Sequence, residues 1–175
     1  GAVTHPEIIE GVIRFLQGRG YDNFCVLEGS WVGDRTKRAY EVSGIGPVCR
    51  EYGVEYIDLQ TDSAVRVDAR GLRVDVCSKA LELDFLINLP VLKGHCQTVV
   101  TCALKNHKGL LPNREKRRFH AEGLHSPIAH LAAVFSNELI IVDNICGDLD
   151  FEEGGNPVTM NRILCARDPV LVDAF

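Results

Sequence analysis

Helical and strand-like runs alternate at close spacing over the first third of the chain, and this alternation constrains the fold more than any other feature. Ile8, Ile9, Val12, Ile13 and Leu16 share one face of a helix that Gly18 and Gly20 close. Thr4 and Glu7 stand at capping-box spacing before it. Phe24–Glu28 is a short apolar strand run, and a second helical pattern runs from Thr36 to about Tyr52, broken near Gly44 and Gly46. Val54–Leu59 is strand-like again. Helix–strand–helix–strand with short links is how a parallel sheet with covering helices is written.

Further along, Ala64–Ala69 and Leu72–Val76 alternate apolar with charged residues about Arg70-Gly71, which predicts a hairpin with one wet face. Phe85–Leu89, Leu139–Val142 and Arg162–Ala166 read as strands, and Thr98–Leu104 and Leu124–Phe135 as helices. The expectation is a single α/β domain over residues 1–175, with a mixed, mainly parallel sheet covered by helices. Residue 1 is Gly rather than Met, and DPVLVDAF stops mid-pattern, so the domain reads as truncated at both ends.

No stretch approaches the roughly 18 apolar residues of a membrane span. The seven cysteines form no C-x-x-C pair, which predicts a reduced, cytoplasmic setting and argues against a cluster held by this chain alone.

Charge is concentrated. Between Lys93 and His120 there are seven Lys/Arg against the single acid Glu115, in a chain whose net charge is −5. His95, His107, His120 and His125 lie in or beside this window. A cationic, His-rich island in an acidic protein calls for an anionic ligand or a site that moves protons. The island follows Asp84–Pro90, a strand with a polar exit, and ligands of open α/β sheets collect beyond such carboxyl ends. Lys93, Asn106 and Lys108 are therefore ligand-binding candidates, and His95, Lys105 and His120 catalytic ones. Gly94 leaves room for an anion to approach the N–H groups of the following helix. A second cluster, Asp143, Asp148, Asp150, Glu152 and Glu153, offers the hard oxygens a divalent cation prefers, without the spacing of an EF-hand.

The segments Ile87–Pro90, Lys93-Gly94-His95 and T-C-A-L-K-N-H-K-G-L-L-P (Thr101–Pro112), together with THPEII at Thr4–Ile9, Val142-Asp143 and Ala166–Val170, resemble the domain-of-unknown-function family numbered 362. That resemblance implies an earlier strand and Lys-Pro-Asn segment and, in some members, a ferredoxin-like cluster domain. The order of His95, Lys105, Leu110-Leu111-Pro112 and His120 is more distantly similar to the nickel-pincer lactate racemase group. Ala103-Leu104 stands where that group has paired glycines, and Asn113 where it has its last one.

The function expected is binding of a small anionic substrate or cofactor, with a metal as an option and the cofactor itself unknown. One alternative is an accessory domain working beside an iron–sulfur or metallocofactor protein. Another is nucleic-acid binding through Arg114, Lys116, Arg117, Arg118 and Phe119, disfavoured by the short run, the lone aromatic and the acidic total.

Overall fold

The computed structural model describes residues 3–135, 138–150 and 155–175. The chain opens with α1 (Pro6–Gly18), β1 (Cys25–Glu28), α2 (Thr36–Val42), α3 (Ile45–Glu51) and β2 (Glu55–Asp58). A hairpin of β3 (Ala64–Ala69) and β4 (Leu72–Cys77) leads to α4 (Ser78–Leu81) and β5 (Leu86–Asn88). Next come β6 (Lys93–His95), β7 (Val99–Thr101), α5 (Ala103–Asn106), a 3₁₀ turn (His107–Leu110), α6 (Asn113–Glu122) and α7 (His125–Ala132). The chain finishes with β8 (Glu138–Asp148), β9 (Pro157–Ala166) and α8 (Pro169–Ala174).

The α/β class is as the sequence reads, but the strands do not join in one mainly parallel sheet. β1 pairs with β2 and β5 with β8 in parallel, whereas β3–β4, β6–β7 and β8–β9 are antiparallel. Among the described residues the strands form four small sheets. Alternation along β1 shows how they are knitted: Val26 packs with Ile9, Ile13, Ile45 and Cys49, while Leu27 packs with the core of Leu59, Val74, Val76, Phe119 and Leu131. Successive side chains point to opposite faces, so this parallel pair is covered on both sides. A third core gathers Ala103, Ile140, Val142 and Val172.

Two local expectations change. Pro6 occupies the first turn of α1, which makes His5 the cap residue, and no side chain caps that end. Thr4 is displaced one position outward and its hydroxyl donates to the Leu89 carbonyl at 2.7 Å, tying the N-terminal segment to the exit of β5. The run Thr98–Leu104 is not one helix. Its β-branched half becomes β7, and the helix starts only at Ala103.

Arg70 and Gly71 both have positive φ, 51° and 93°, the backbone of a tight two-residue hairpin turn.

Candidate functional site

The segment Ala103–Leu110 bridges the carboxyl ends of the two parallel strand pairs. At the end of β5, buried Asn88 donates through Nδ2 to the Ala103 carbonyl at 3.1 Å, and Asn106 donates to Asn88 Oδ1 at 2.8 Å. His107 Nε2 lies 3.4 Å from the same Asn88 amide. At the end of β1, Gly29 meets Gly109 so closely that a Cβ on Gly29 would stand 2.3 Å from the Gly109 carbonyl oxygen. Only glycine permits that approach.

The β6–β7 hairpin supplies the next layer. Lys93 lies opposite Thr101, and His95 lies two residues beyond Lys93 on the same face. Lys105 Nζ donates to Thr101 Oγ1 at 3.1 Å, which brings both lysines to that face. His95 is 4 % exposed, and its Nδ1 accepts from the backbone N–H groups of Gln97 and Thr98 at 3.1 and 3.2 Å. An accepting Nδ1 leaves the ring proton of neutral His95 on Nε2.

Gln97 sits at the hairpin tip and organises the histidines. Its side-chain Oε1 accepts from His120 Nδ1 at 3.0 Å, and its carbonyl accepts from His125 Nε2 at 3.2 Å. The buried Lys108 ammonium donates to His120 Nε2 at 2.9 Å, completing a chain Lys108–His120–Gln97. Val99, beside the tip, holds φ at 65°, a conformation that costs a β-branched residue energy.

The two charge clusters, far apart in sequence, meet in space. A Cβ on Gly94 would stand 2.2 Å from the Leu149 carbonyl oxygen, and one on Gly147 would stand 2.0 Å from that of Leu92. The end of β8 thus lies directly against β6.

Asp148, 1 % exposed, accepts from the backbone N–H groups of Asp150, Gly155 and Asn156 and closes that loop. Asp143, fully buried, accepts from the His5 backbone N–H, His5 Nδ1 and the Ile145 N–H. Asp150 is exposed. Among the described residues no group of three His, Cys, Asp or Glu is placed to hold a metal ion. Glu152 and Glu153 lie outside the described residues.

The N-terminal N–H groups of α5, read as open to an anion, are taken by this chain. Asp173 of α8 accepts from Ala103 and Leu104 at 2.7 and 3.0 Å. Burial and the neighbouring Asp173 carboxylate push the Cys102 thiol up, away from reactivity.

The basic run of α6 is likewise engaged. Arg114 pairs with Asp75, Arg118 with Glu115 and Glu122, and buried Lys116 donates to the carbonyls of Gly29 and Ser30 at 2.7 and 3.0 Å. Arg117 remains at the surface.

Gln97, Thr101, Asn88 and His5 are site residues that the sequence reading left out. The THP and Asn-Leu-Pro segments were the available signals for the last two. The hollows of about 460 Å³ along Gln17, Tyr21 and Phe24, and about 160 Å³ along Leu81, Leu86 and Phe135, lie outside the cluster.

These features define an α/β domain whose carboxyl-end loops carry a compact Lys/His/Asn cluster braced by an acidic strand. The chain belongs to the family described as Domain of unknown function (DUF362), whose model matches residues 1–175. It is 23 % identical over 162 residues to the thylakoid-associated protein sll1697 of Synechocystis sp., a match covering 89 % of this chain and 49 % of that protein. The chain thus spans about half the length of this curated relative. No solved structure matches it. The family model and the relative do not concern the lactate racemase group, and that likeness rests on the order of His95, Lys105, Leu110-Leu111-Pro112 and His120 alone.

Proposed function

We propose that this domain binds a small anionic molecule, substrate or cofactor, at the cluster of His95, Lys105, Asn106, Lys108 and His120, with Lys93 beside it. The supporting observation is the bridge formed by Ala103–Leu110, which carries three of these residues across the carboxyl ends of β1 and β5, where ligands of α/β folds collect. In this reading the lysines supply attraction and Asn106 orientation. His95, with its proton on Nε2, and His120, held between Lys108 and Gln97, transfer protons. Asp143 and Asp148 brace the site through the backbone N–H groups they bind. A reduced, cytoplasmic setting accompanies the reading, supported by the free thiols of Cys25, Cys49, Cys77, Cys102, Cys146 and Cys165.

The test is calorimetric titration of the wild-type chain with sulfate, inorganic phosphate and malonate, repeated on Lys105→Ala and Lys105→Arg. Wild-type binding that weakens about tenfold or more in Lys105→Ala, with stability changed by no more than about 0.5 kcal/mol, supports the reading. Partial retention in Lys105→Arg identifies a charge contact, because guanidinium keeps the charge and stays protonated. Wild-type affinity in Lys105→Ala removes Lys105 from the site, and failure of all three anions to bind ends the proposal. Metal analysis of protein purified without oxygen separates this reading from an accessory role beside a metallocofactor.

A further inference from the structure

At the carboxyl end of β1, next to the cluster, lies a carboxyl–ammonium pair that the site as described does not use. Glu28 is half-buried at the end of β1. Glu28 Oε1 is 4.0 Å from where a Cβ on Gly109 would stand, one residue after Lys108. Lys116 is 5 % exposed, and its ammonium is held on the Gly29 and Ser30 carbonyls that follow Glu28. On α6, Lys116 is four residues before His120 and therefore on the same helix face. Glu28 thus lies against the residue that follows Lys108, and Lys116 stands one helical turn before His120, while Lys108 and His120 meet at 2.9 Å.

We propose that Glu28 and Lys116 belong to the anion site and take up a proton when an anion binds beside Lys108 and His120. The inference rests on the anion-binding reading above and adds the proton that accompanies the ligand.

The physical argument is one of linkage. An anion entering this poorly solvated region lowers the potential at both groups and raises the proton affinity of each. Both are already displaced toward titration nearer neutrality. Burial pushes the Glu28 carboxyl up against the opposing pull of Lys116, and burial pushes the Lys116 ammonium down against the support of Glu28. The surrounding charges are few. From β2, Asp58 raises Glu28 further and supports the Lys116 cation; from β4, Cys77 does the latter as well. Tyr56 of β2 also faces Glu28, and its hydroxyl is pushed up by burial and by that carboxyl, so it stays neutral. A change of potential therefore acts on this pair rather than on the Tyr56 hydroxyl. Each group lies in the other's field, so the proton is counted for the two together.

Sulfate is the probe, because it does not itself titrate near neutral pH. Calorimetry at pH 7.5 in buffers of different ionisation enthalpy gives the number of protons taken up per sulfate bound. The wild type is expected to take up a measurable fraction of a proton, and Glu28→Gln to lose at least half of that uptake while still binding sulfate. Thermal unfolding confirms that the variant is folded. Should it not fold, Glu28→Asp and the side-chain carboxyl ¹³C resonance of Glu28 in the wild type report the same event, with the midpoint moving up on sulfate addition. Sulfate binding with equal uptake in Glu28→Gln, or an unmoved Glu28 resonance, overturns the inference and leaves the anion site standing. No sulfate binding at all refutes the inference, and the phosphate and malonate titrations then decide whether the anion site stands.

Discussion

The Asp143 carboxylate, fully buried, accepts at 2.7 Å from both the backbone N–H and the ring Nδ1 of His5, a residue 138 positions away in the chain. This contact fastens the start of α1 to the strand that braces the candidate site. The Asp143 backbone completes the junction, donating to the Pro90 carbonyl at 2.8 Å and accepting from Leu92 N–H at 2.9 Å.

Asp143→Ala is expected to destabilise the fold by about 2–4 kcal/mol, because it leaves the His5 and Ile145 backbone N–H groups and the His5 ring without their acceptor. His5→Ala, at a position one-third exposed, should cost about 1–2 kcal/mol. A double-mutant cycle by urea denaturation should give a coupling energy of at least about 1 kcal/mol. Simple additivity would mean that the contact contributes nothing to holding α1 in place.

Asp75 supplies the pH dependence. Its carboxylate lies just beneath the surface, covered by Arg66 and Arg114, which are themselves about two-thirds exposed. The hydrogen bond from Arg66, then that from Arg114, holds its pKa down to about 2. A depressed carboxylate contributes stability that is present above its unfolded pKa near 4 and lost as pH falls toward about 2. Asp75→Asn should therefore be less stable than the wild type by about 1–2 kcal/mol at pH 7, a value moderated by solvent around the two arginines. That gap should narrow between about pH 4 and pH 2. Thermal unfolding across this range checks the sign, and a gap independent of pH would assign the loss to packing.

How far the sequence led can be read residue by residue. The β3–β4 hairpin was legible because turn chemistry and alternation are local, and Arg70-Gly71 adopts the backbone its composition favours. The division into small sheets was not, because periodicity marks a strand without naming its neighbour. The β-branched run Thr98–Thr101 carried a strand signal that its apolar character masked. Within the candidate site, charge picked out Lys93, Lys105, Lys108 and the histidines. It could not reveal that Asp173 would occupy the start of α5 or that Lys116 would turn inward, since both depend on partners 69 or more residues away. Gln97 escaped because two of its three roles are played by its backbone.

That division of labour in Gln97 gives a selective test. Gln97→Ala removes only the amide oxygen that accepts from His120 Nδ1, whereas the backbone N–H bonding His95 and the carbonyl bonding His125 remain. His120 should keep its proton on Nδ1, because the Lys108 ammonium still donates to Nε2, but that Nδ1–H should turn to water, so its nitrogen-15 shift and proton exchange rate should change. The ring of His95 should keep its proton on Nε2. His130, whose Nδ1 bonds the Ala69 carbonyl in a different part of the fold, is the internal control and should not change. Stability should fall by no more than about 1 kcal/mol, the loss of one partly exposed hydrogen bond. Gln97→Glu preserves an acceptor and adds a negative charge, so His120 should become easier to protonate. The same charge should weaken binding of sulfate, separating orientation of the ring from the electrostatics of the site. If His95 and His120 respond equally to Gln97→Ala, the hairpin tip acts as one unit and the side chain has no separate positioning role. If neither ring responds, the chain from Lys108 through His120 to Gln97 does not hold His120 in place.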